Sequence, residues 1–185
     1  DKVAIVTGGA GGIGGATVSM MAQEGAKVVI SDINGEGAKK LEDSLSQKGA
    51  KVLAVKTDIS DYKQVKDLTE KTISTFGRID ILVNNAAIGS GRPMGEKPKL
   101  WEMTLEEWER VMRIDLNGYF LCCHEVIPHM IPNRHGRIVN VSSIAARTGG
   151  QAAATNYAAA KGGVLGLTKC LAKEVGEYGI TVNAV

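Results

Sequence analysis

The sequence predicts an α/β fold, a doubly wound parallel sheet with helices on both faces. Three observations lead there. Short runs rich in Val and Ile alternate with stretches of helix length along the 185 residues. These runs are nearly continuous in apolar character, as strands covered on both faces require. A glycine-rich turn follows the first run, in "VAIVTGGAGGIGGA", and a helical pattern opens directly behind it. Strand–helix alternation of this kind implies right-handed crossovers and parallel neighbours.

Taken in order, "VAIVTG" is the first strand and 12–24 the first helix. "KVVISD" is the second strand, with a helix over 35–48. "KVLAVKTD" is the third, followed by a helix over 61–76, and "IDILVNNA" is the fourth. The stretch 88–103, "IGSGRPMGEKPKLWEM", is dominated by Gly, Pro and Lys and is expected to be a loop near a ligand mouth. "MTLEEW" then gives a helix start, with Thr104 as N-cap and Glu107 at the capping-box spacing, opening a helix over 104–130. "GRIVNVSS" is the fifth strand, 155–178 the last helix and "ITVNAV" the sixth strand. No repeat of fixed period is present. Length and pattern predict a single domain over 1–185. The start on "DKVAIVTGG" without methionine, and the stop on a strand with nothing behind it, predict an excerpt of a longer protein whose C-terminal part is missing.

Composition narrows the function classes. The chain is 44% hydrophobic and 23% charged, with net charge +2, and its charges are scattered. No basic tract suits nucleic acid or an anionic membrane. No apolar run approaches the ~20 residues that cross a bilayer, and neither a signal peptide nor a basic presequence is visible, so a cytoplasmic protein is expected. Cys122, Cys123 and Cys170 lie in apolar helical patterns without C-x-x-C spacing and read as reduced core thiols. His124 follows the cysteine pair, but adjacent helical residues diverge by about 100° and cannot chelate together, so no metal site is expected.

Glycine is frequent, at 23 residues, and clusters between Gly8 and Gly15. Gly8, Gly12 and Gly14 fit T-G-x-x-x-G-x-G. Without Cβ atoms such a backbone turns sharply and lets a diphosphate approach, and the helix N-terminus behind it offers free N–H groups and partial positive charge. A ligand-free glycine turn is the alternative, but this one sits at the first βα turn, where dinucleotides bind. Asp32 ends the second run, 18 residues beyond Gly14, near the ~20 expected for an acid on the ribose 2′-hydroxyl. A carboxylate there repels a 2′-phosphate. Gly11, Ile33 and Asn34 supply no compensating cation, so NAD is favoured over NADP. Asp32 could also simply start the following turn. Asp58 ends "VKTD" and could receive the adenine amino group, with Ile59 supplying an N–H. It could equally cap the next helix, in competition with Ser60 and Asp61. In "ILVNNAA", Ala86 and Ala87 are small enough for a cofactor to lie against the backbone, and Asn84 and Asn85 can satisfy backbone groups where the strand stops.

"TNYAAAKGG" places Tyr157 and Lys161 four residues apart, on one face of a helix. An ammonium beside a phenol, whose ordinary pKa is about 10, favours phenolate, and a phenol so tuned can exchange a proton with an alcohol or carbonyl oxygen. Ser143, in "IVNVSS" at the carboxyl end of a parallel strand, could hydrogen-bond the same oxygen, with Ser142 the competing choice. Y-x-x-x-K alone is common by chance, and two exposed polar residues are its plain alternative.

Together, "TGGAGGIG", "SDI", "TDI", "LVNNAA", "VNVSS" and "YAAAK" resemble the short-chain dehydrogenase/reductase family over essentially the whole chain. The resemblance implies a Rossmann-type sheet, nicotinamide binding and a Ser/Tyr/Lys active site. Ser143 would orient the substrate oxygen and Tyr157 act as general acid/base. Lys161 would bind the nicotinamide ribose and lower the tyrosine's pKa. The cofactor would lie against Gly8, Gly12, Ile13, Gly14, Asp32, Ile33, Asp58, Ile59, Asn85, Ala86 and Ala87, besides Tyr157 and Lys161. Two departures stand out. The family usually has N-N-A-G where this chain has Asn84-Asn85-Ala86-Ala87. Its helix before the fifth strand usually carries an asparagine that holds a relay water, and that place falls on Asp115, with Asn117 two positions off. Asp115 can accept a hydrogen bond or use its backbone carbonyl, but its charge would act on Lys161. The stretch from Ser143 to Tyr157 spans 14 positions, and its "RTGGQAAAT" is expected to shape the substrate pocket. By the same resemblance, helices 104–130 and 155–178 are expected to pair in a homodimer or homotetramer. The expected activity is hydride transfer between NAD(H) and a small secondary alcohol or ketone. A non-catalytic dinucleotide-sensing module is the alternative. A nucleotide-sugar epimerase or dehydratase fits less well, since its glycine spacing usually differs and its chain is longer after the lysine.

Overall fold

A computed structural model describes residues 2–92, 96–149 and 153–185. Residues 93–95 of the expected mouth loop, and 150–152 of "RTGGQAAAT", lie outside the described residues.

Six strands form one parallel sheet. They are β1 (Val3–Thr7), β2 (Lys27–Asp32), β3 (Val52–Lys56), β4 (Ile81–Asn84), β5 (Gly136–Asn140) and β6 (Ile180–Ala184). The spatial order is β3-β2-β1-β4-β5-β6. In register, Ile5 pairs with Val29 and Leu82, and Leu82 with Ile138. The helices are α1 (Gly12–Gln23), α2 (Gly35–Ser46), α3 (Tyr62–Phe76), α4 (Leu105–Met112), α5 (Gly118–Met130), the short α6 (Ala145–Thr148) and α7 (Thr155–Val175).

The strand residues divide between two cores. Ile5, Val29, Leu82 and Ile138 face one side with Leu68 of α3, Cys122 of α5 and Val164 of α7. Val6, Val28, Ile30 and Val83 face the other, with Val18 of α1 and Ala38 and Leu45 of α2. Each such side chain, fully buried, contributes about 1.5–3 kcal/mol. The expectation that every strand is covered on both faces holds for β1 and β2 and fails for β5 and β6. There burial alternates, and Arg137, Thr181 and Asn183 are exposed on the side that α1 and α2 cover over the neighbouring strands. Among the described residues no helix is long and apolar enough to cross a membrane.

The predicted helix 104–130 is not continuous. Thr104 and Glu107 form the capping box, the Thr104 oxygen accepting from the Glu107 N–H at 3.1 Å and the Glu107 carboxylate from the Thr104 N–H at 2.8 Å. After α4, however, Arg113–Asn117 form a π-helical turn before α5 resumes. Periodicity cannot show such an insertion, because apolar residues still recur at helical spacing on either side. The last helix ends at Val175, and Gly176–Tyr178 tighten into a 3₁₀ turn.

Candidate active site

A cavity of about 450 Å³ opens at the carboxyl ends of the strands, between the β1–α1 turn and the end of β4. In this strand order the chain leaves β1 in one direction and β4 in the other, so the cavity lies at the topological switch point. Of the residues the sequence singled out, Gly8, Asp32, Ile33, Asp58, Ile59, Asn85, Ala86 and Ala87 line it. Gly12, Ile13 and Gly14, directly behind the turn, do not, and neither do Ser143, Tyr157 and Lys161. Gly8 has a φ of +64°, and a Cβ on it would stand 2.8 Å from Ala86 Cα. A Cβ on Gly14 would stand 2.0 Å from the Gly8 carbonyl oxygen, so Gly14 is what lets α1 start so close to the turn. No side chain caps α1 at Gly11, and its first turn carries no acid, which leaves its N-terminal N–H groups without a side-chain partner.

Asp32 starts the following turn, one of the two jobs considered for it, and also braces the glycine turn. One carboxylate oxygen accepts from the Ala10 N–H at 2.9 Å, bracing the glycine turn, and the other accepts from the Asn34 N–H at 2.9 Å, shaping the turn into α2. Asp58 is not a helix cap. It accepts from the Ser60 N–H and hydroxyl at 2.9 and 2.7 Å, while Asp61 caps α3. The two asparagines part company. Asn85 donates to the carbonyls of Thr7 and Gly8 at 3.0 and 3.2 Å, tying the end of β4 to the glycine turn. Asn84, expected to serve the backbone, instead donates to Asn140 Oδ1 at 2.9 Å within the core. Thr7, which opens the T-G-x-x-x-G-x-G motif, receives the N–H groups of Asn85 and Ala86 on its hydroxyl at 3.0 and 3.2 Å, a role the motif does not specify. A glycine-backed turn, a small-residue wall and an acceptor carboxylate at one end fit a dinucleotide.

Next to this cavity stand the groups expected to carry chemistry. The Val141 N–H bonds the Asn84 carbonyl at 2.8 Å, just beyond the paired part of β5. The two serines follow on a loop rather than at the strand end. Ser142 is buried and its hydroxyl donates to the Lys161 carbonyl at 3.1 Å, so it is committed to holding α7. The half-buried Ser143 accepts from the Ala145 N–H at 3.1 Å and keeps its own proton to donate. Tyr157 is half-buried in the first turn of α7. That turn is anchored by the buried Asn156, which no motif singles out. Its amide reaches the carbonyls of Ser90 and Glu107, both at 3.3 Å.

Lys161 is 1% exposed. Its Nζ lies 5.8 Å from the centroid of the Tyr157 ring, so the two are neighbours on one helix face. Its hydrogen bonds go elsewhere, to the Val141 carbonyl at 2.9 Å and the Tyr119 hydroxyl at 3.0 Å. Burial pushes its ammonium below the ordinary lysine value, and the charge of Asp115 acts the other way. Asp115 sits in the π-helical turn with 0% exposure. One oxygen accepts from the Ile88 N–H at 2.9 Å, and the other is buried with no hydrogen-bond partner within normal distance. Burial pushes its carboxyl up to about 6, against the Ile88 N–H and the charge of Lys161. An asparagine would put an N–H donor where this chain has that bare oxygen.

The cysteines divide. Cys122 and Cys123 are buried, and burial holds the Cys123 thiol at about 12. Cys170, expected in the core, is exposed, with its sulfur 3.3 Å from Glu174 Oε1.

Comparison with known proteins points the same way. The short chain dehydrogenase family model matches residues 2–185. The chain is 43% identical, over 185 residues, to a subunit of (2S)-[(R)-hydroxy(phenyl)methyl]succinyl-CoA dehydrogenase from Thauera aromatica, covering 100% of this chain and 71% of that protein. It is 42% identical to a 3-oxoacyl-[acyl-carrier-protein] reductase of Thermotoga maritima and 42% identical to a cis-4-hydroxycyclohexanecarboxylate dehydrogenase of Sinomonas cyclohexanicum, in both cases over 100% of this chain and 72% of the relative. A sheet in the order 3-2-1-4-5-6, a cavity at its switch point and a match running from residue 2 to the last residue have one common explanation: the chain belongs to the short-chain dehydrogenase family.

Proposed function

We propose that the protein is an NAD-dependent oxidoreductase acting on a secondary alcohol or its ketone, within one dinucleotide-binding unit over 1–185. The observation that carries this reading is the placing of Lys161 and Tyr157 on one face of α7, one strand away from the wall of the cavity. The nicotinamide ring, when bound, supplies the hydride acceptor for oxidation and the donor for reduction. Tyr157 takes the substrate's hydroxyl proton as the carbinol hydrogen leaves as hydride, and returns it in reduction. Ser143 donates its free hydroxyl proton to the same oxygen and steadies the charge that develops there. Lys161 holds a positive charge beside the phenol and a donor towards the cofactor ribose. Asp32 accepts from a ribose hydroxyl and disfavours a 2′-phosphate, which supports NAD over NADP.

Relatives named for cyclic and acyl substrates support alcohol–ketone chemistry without choosing among substrates. We also place a homodimer or homotetramer contact on the outer faces of α4, α5 and α7. Phe120 is 50% and Leu105 72% exposed there, which supports that reading.

The test is to follow NADH formation across a panel of secondary alcohols, sugars, steroids and hydroxyacyl thioesters, with Tyr157→Phe as control. Turnover is expected for at least one class, lowered in the variant by about 10²–10⁴-fold, the usual contribution of a general acid/base. Tight NAD binding with silence across the panel would instead point to a dinucleotide-sensing module.

A further inference from the structure

Lys161 raises a problem that the Tyr157 spacing does not solve. A buried ammonium loses its water and must find acceptors for its protons, or give one up. The first acceptor is the Val141 carbonyl at 2.9 Å. The second is the hydroxyl of Tyr119, the second residue of α5 after the π-helical turn, at 3.0 Å. Tyr119 is itself fully buried. Its hydroxyl donates to the same Val141 carbonyl at 3.2 Å, so towards Nζ it can only accept. Nζ, the phenol oxygen and the carbonyl oxygen thus close a three-membered ring of hydrogen bonds. The ammonium also lies 4.6 Å from the centroid of the Tyr119 ring, nearer than the 5.8 Å to Tyr157. Burial pushes the Tyr119 phenol well above its ordinary value, which keeps it neutral and able to donate.

We propose that Tyr119 is a positioning residue for Lys161, its hydroxyl and ring holding the ammonium at one point beside Tyr157. Nothing in Y-x-x-x-K specifies this. The contact crosses 42 positions of sequence. The ionisable groups around the ammonium are few. Asp115 faces it from the π-helical turn, Tyr119 from α5 and Tyr157 from its own helix. Glu107 of α4 is turned to Arg92, and Arg147 of α6 is exposed. Of these, Tyr119 alone gives Lys161 a hydrogen bond. Losing it should therefore ease the departure of the ammonium proton.

The inference is tested without turnover. Protein labelled with ¹³C,¹⁵N-lysine is titrated by NMR, and the Lys161 signal is assigned through Lys161→Met. Tyr119→Phe keeps the ring and deletes the acceptor, and it should lower the pH at which Lys161 loses its proton by about one unit, the scale of one hydrogen bond to a charged group. Tyr119→Leu, which removes the ring too, should lower it further. Should Tyr119→Phe not fold, 3-fluorotyrosine at position 119 alone keeps the shape and weakens the oxygen as an acceptor, and a smaller shift in the same direction is expected. With an active substrate in hand, the alkaline limb of the kcat/KM profile should move with the NMR titration, which a merely structural role would not do. An unmoved Lys161 titration in folded Tyr119→Phe or in the fluorotyrosine protein overturns the inference. The role in turnover rests on the oxidoreductase reading, but the two fail separately. A protein inactive on every substrate, whose Lys161 titration still shifts, would lose that reading and keep the Tyr119 contact.

Discussion

The two sides of the cavity hold their charged groups by different means. On the side of β1 to β3, Asp32 and Asp58 are half-buried and held mainly by neighbouring backbone, Asp58 by Ser60 and Asp32 by Asn34 and the Ala10 N–H of the adjoining turn. Both oxygens of Asp32 are satisfied. On the side of β4 to β6, Asp115 and Lys161 are almost wholly buried and opposite in charge, and their partners come from distant segments. One oxygen of Asp115 lacks a hydrogen-bond partner within normal distance, although the Gly89 N–H and the Lys161 charge act on the carboxylate. Short bonds to neighbouring backbone make the first side a half-buried cradle braced by its own turns. Desolvation makes the second side responsive, because a buried group gives up or keeps its proton on small changes around it. A cradle suits a cofactor that must be recognised, and a responsive pair suits a proton that must move.

Three substitutions test that contrast. The largest effect is expected from Gly14→Ala, which attacks the cradle's bracing. Its Cβ would fall 2.0 Å from the Gly8 carbonyl oxygen and 2.6 Å from Asn85 Nδ2, so backbone as well as a side chain would have to move. Stability should fall by about 3 kcal/mol, the upper end for overpacking, and NADH affinity by roughly a hundredfold in calorimetric titration. Wild-type affinity in this variant would show that the turn is not braced in the sense argued.

Asp115→Asn should act through pH. A carboxyl raised to about 6 from 3.8 binds its proton more tightly in the folded chain than in the unfolded one. Its contribution is full below about 3.8, declines as pH rises towards about 6, and is absent above that. The variant has no such dependence. It should be more stable than the wild type at pH 7, by on the order of 2 kcal/mol, and lose most of that advantage by pH 4. Urea unfolding at the two pH values measures this, and turnover should be kept or raised. Equal gains at both pH values would mean that ionisation is not the cause.

The smallest effect is expected from Asp32→Ala. With the carboxylate gone, the ratio of kcat/KM for NAD over NADP should fall by about tenfold, roughly 1.4 kcal/mol. An unchanged ratio would remove the ribose contact from the cradle.

How much of this was legible beforehand follows the same division. The glycine turn, the capping box at Thr104 and the spacing of Tyr157 and Lys161 involve residues a few positions apart, and turn chemistry or helix geometry alone fixes their relation. β1 and β2 show in the sequence as nearly continuous apolar runs, and β5 and β6 as shorter runs that alternate with polar residues. For Asn84 a distant partner was decisive, since its amide goes to Asn140, 56 positions on. Cys170 falls on the exposed face of α7 with Lys169, Lys173 and Glu174. A π-helical turn broke a helix whose periodicity looked unbroken.

Local pattern in the chain accounts for the strands' raw material, for a glycine turn of the kind that cradles a dinucleotide and for the placing of Tyr157 and Lys161 on one helix face, since period and turn geometry belong to short stretches of chain. Only the tertiary structure decided what surrounds that pair. It put Tyr119 rather than Tyr157 in hydrogen-bond contact with Lys161, and it buried Asp115 with one oxygen bare. The reason is that burial, and the weak screening that comes with it, is a property of packed segments and is carried by none of them alone.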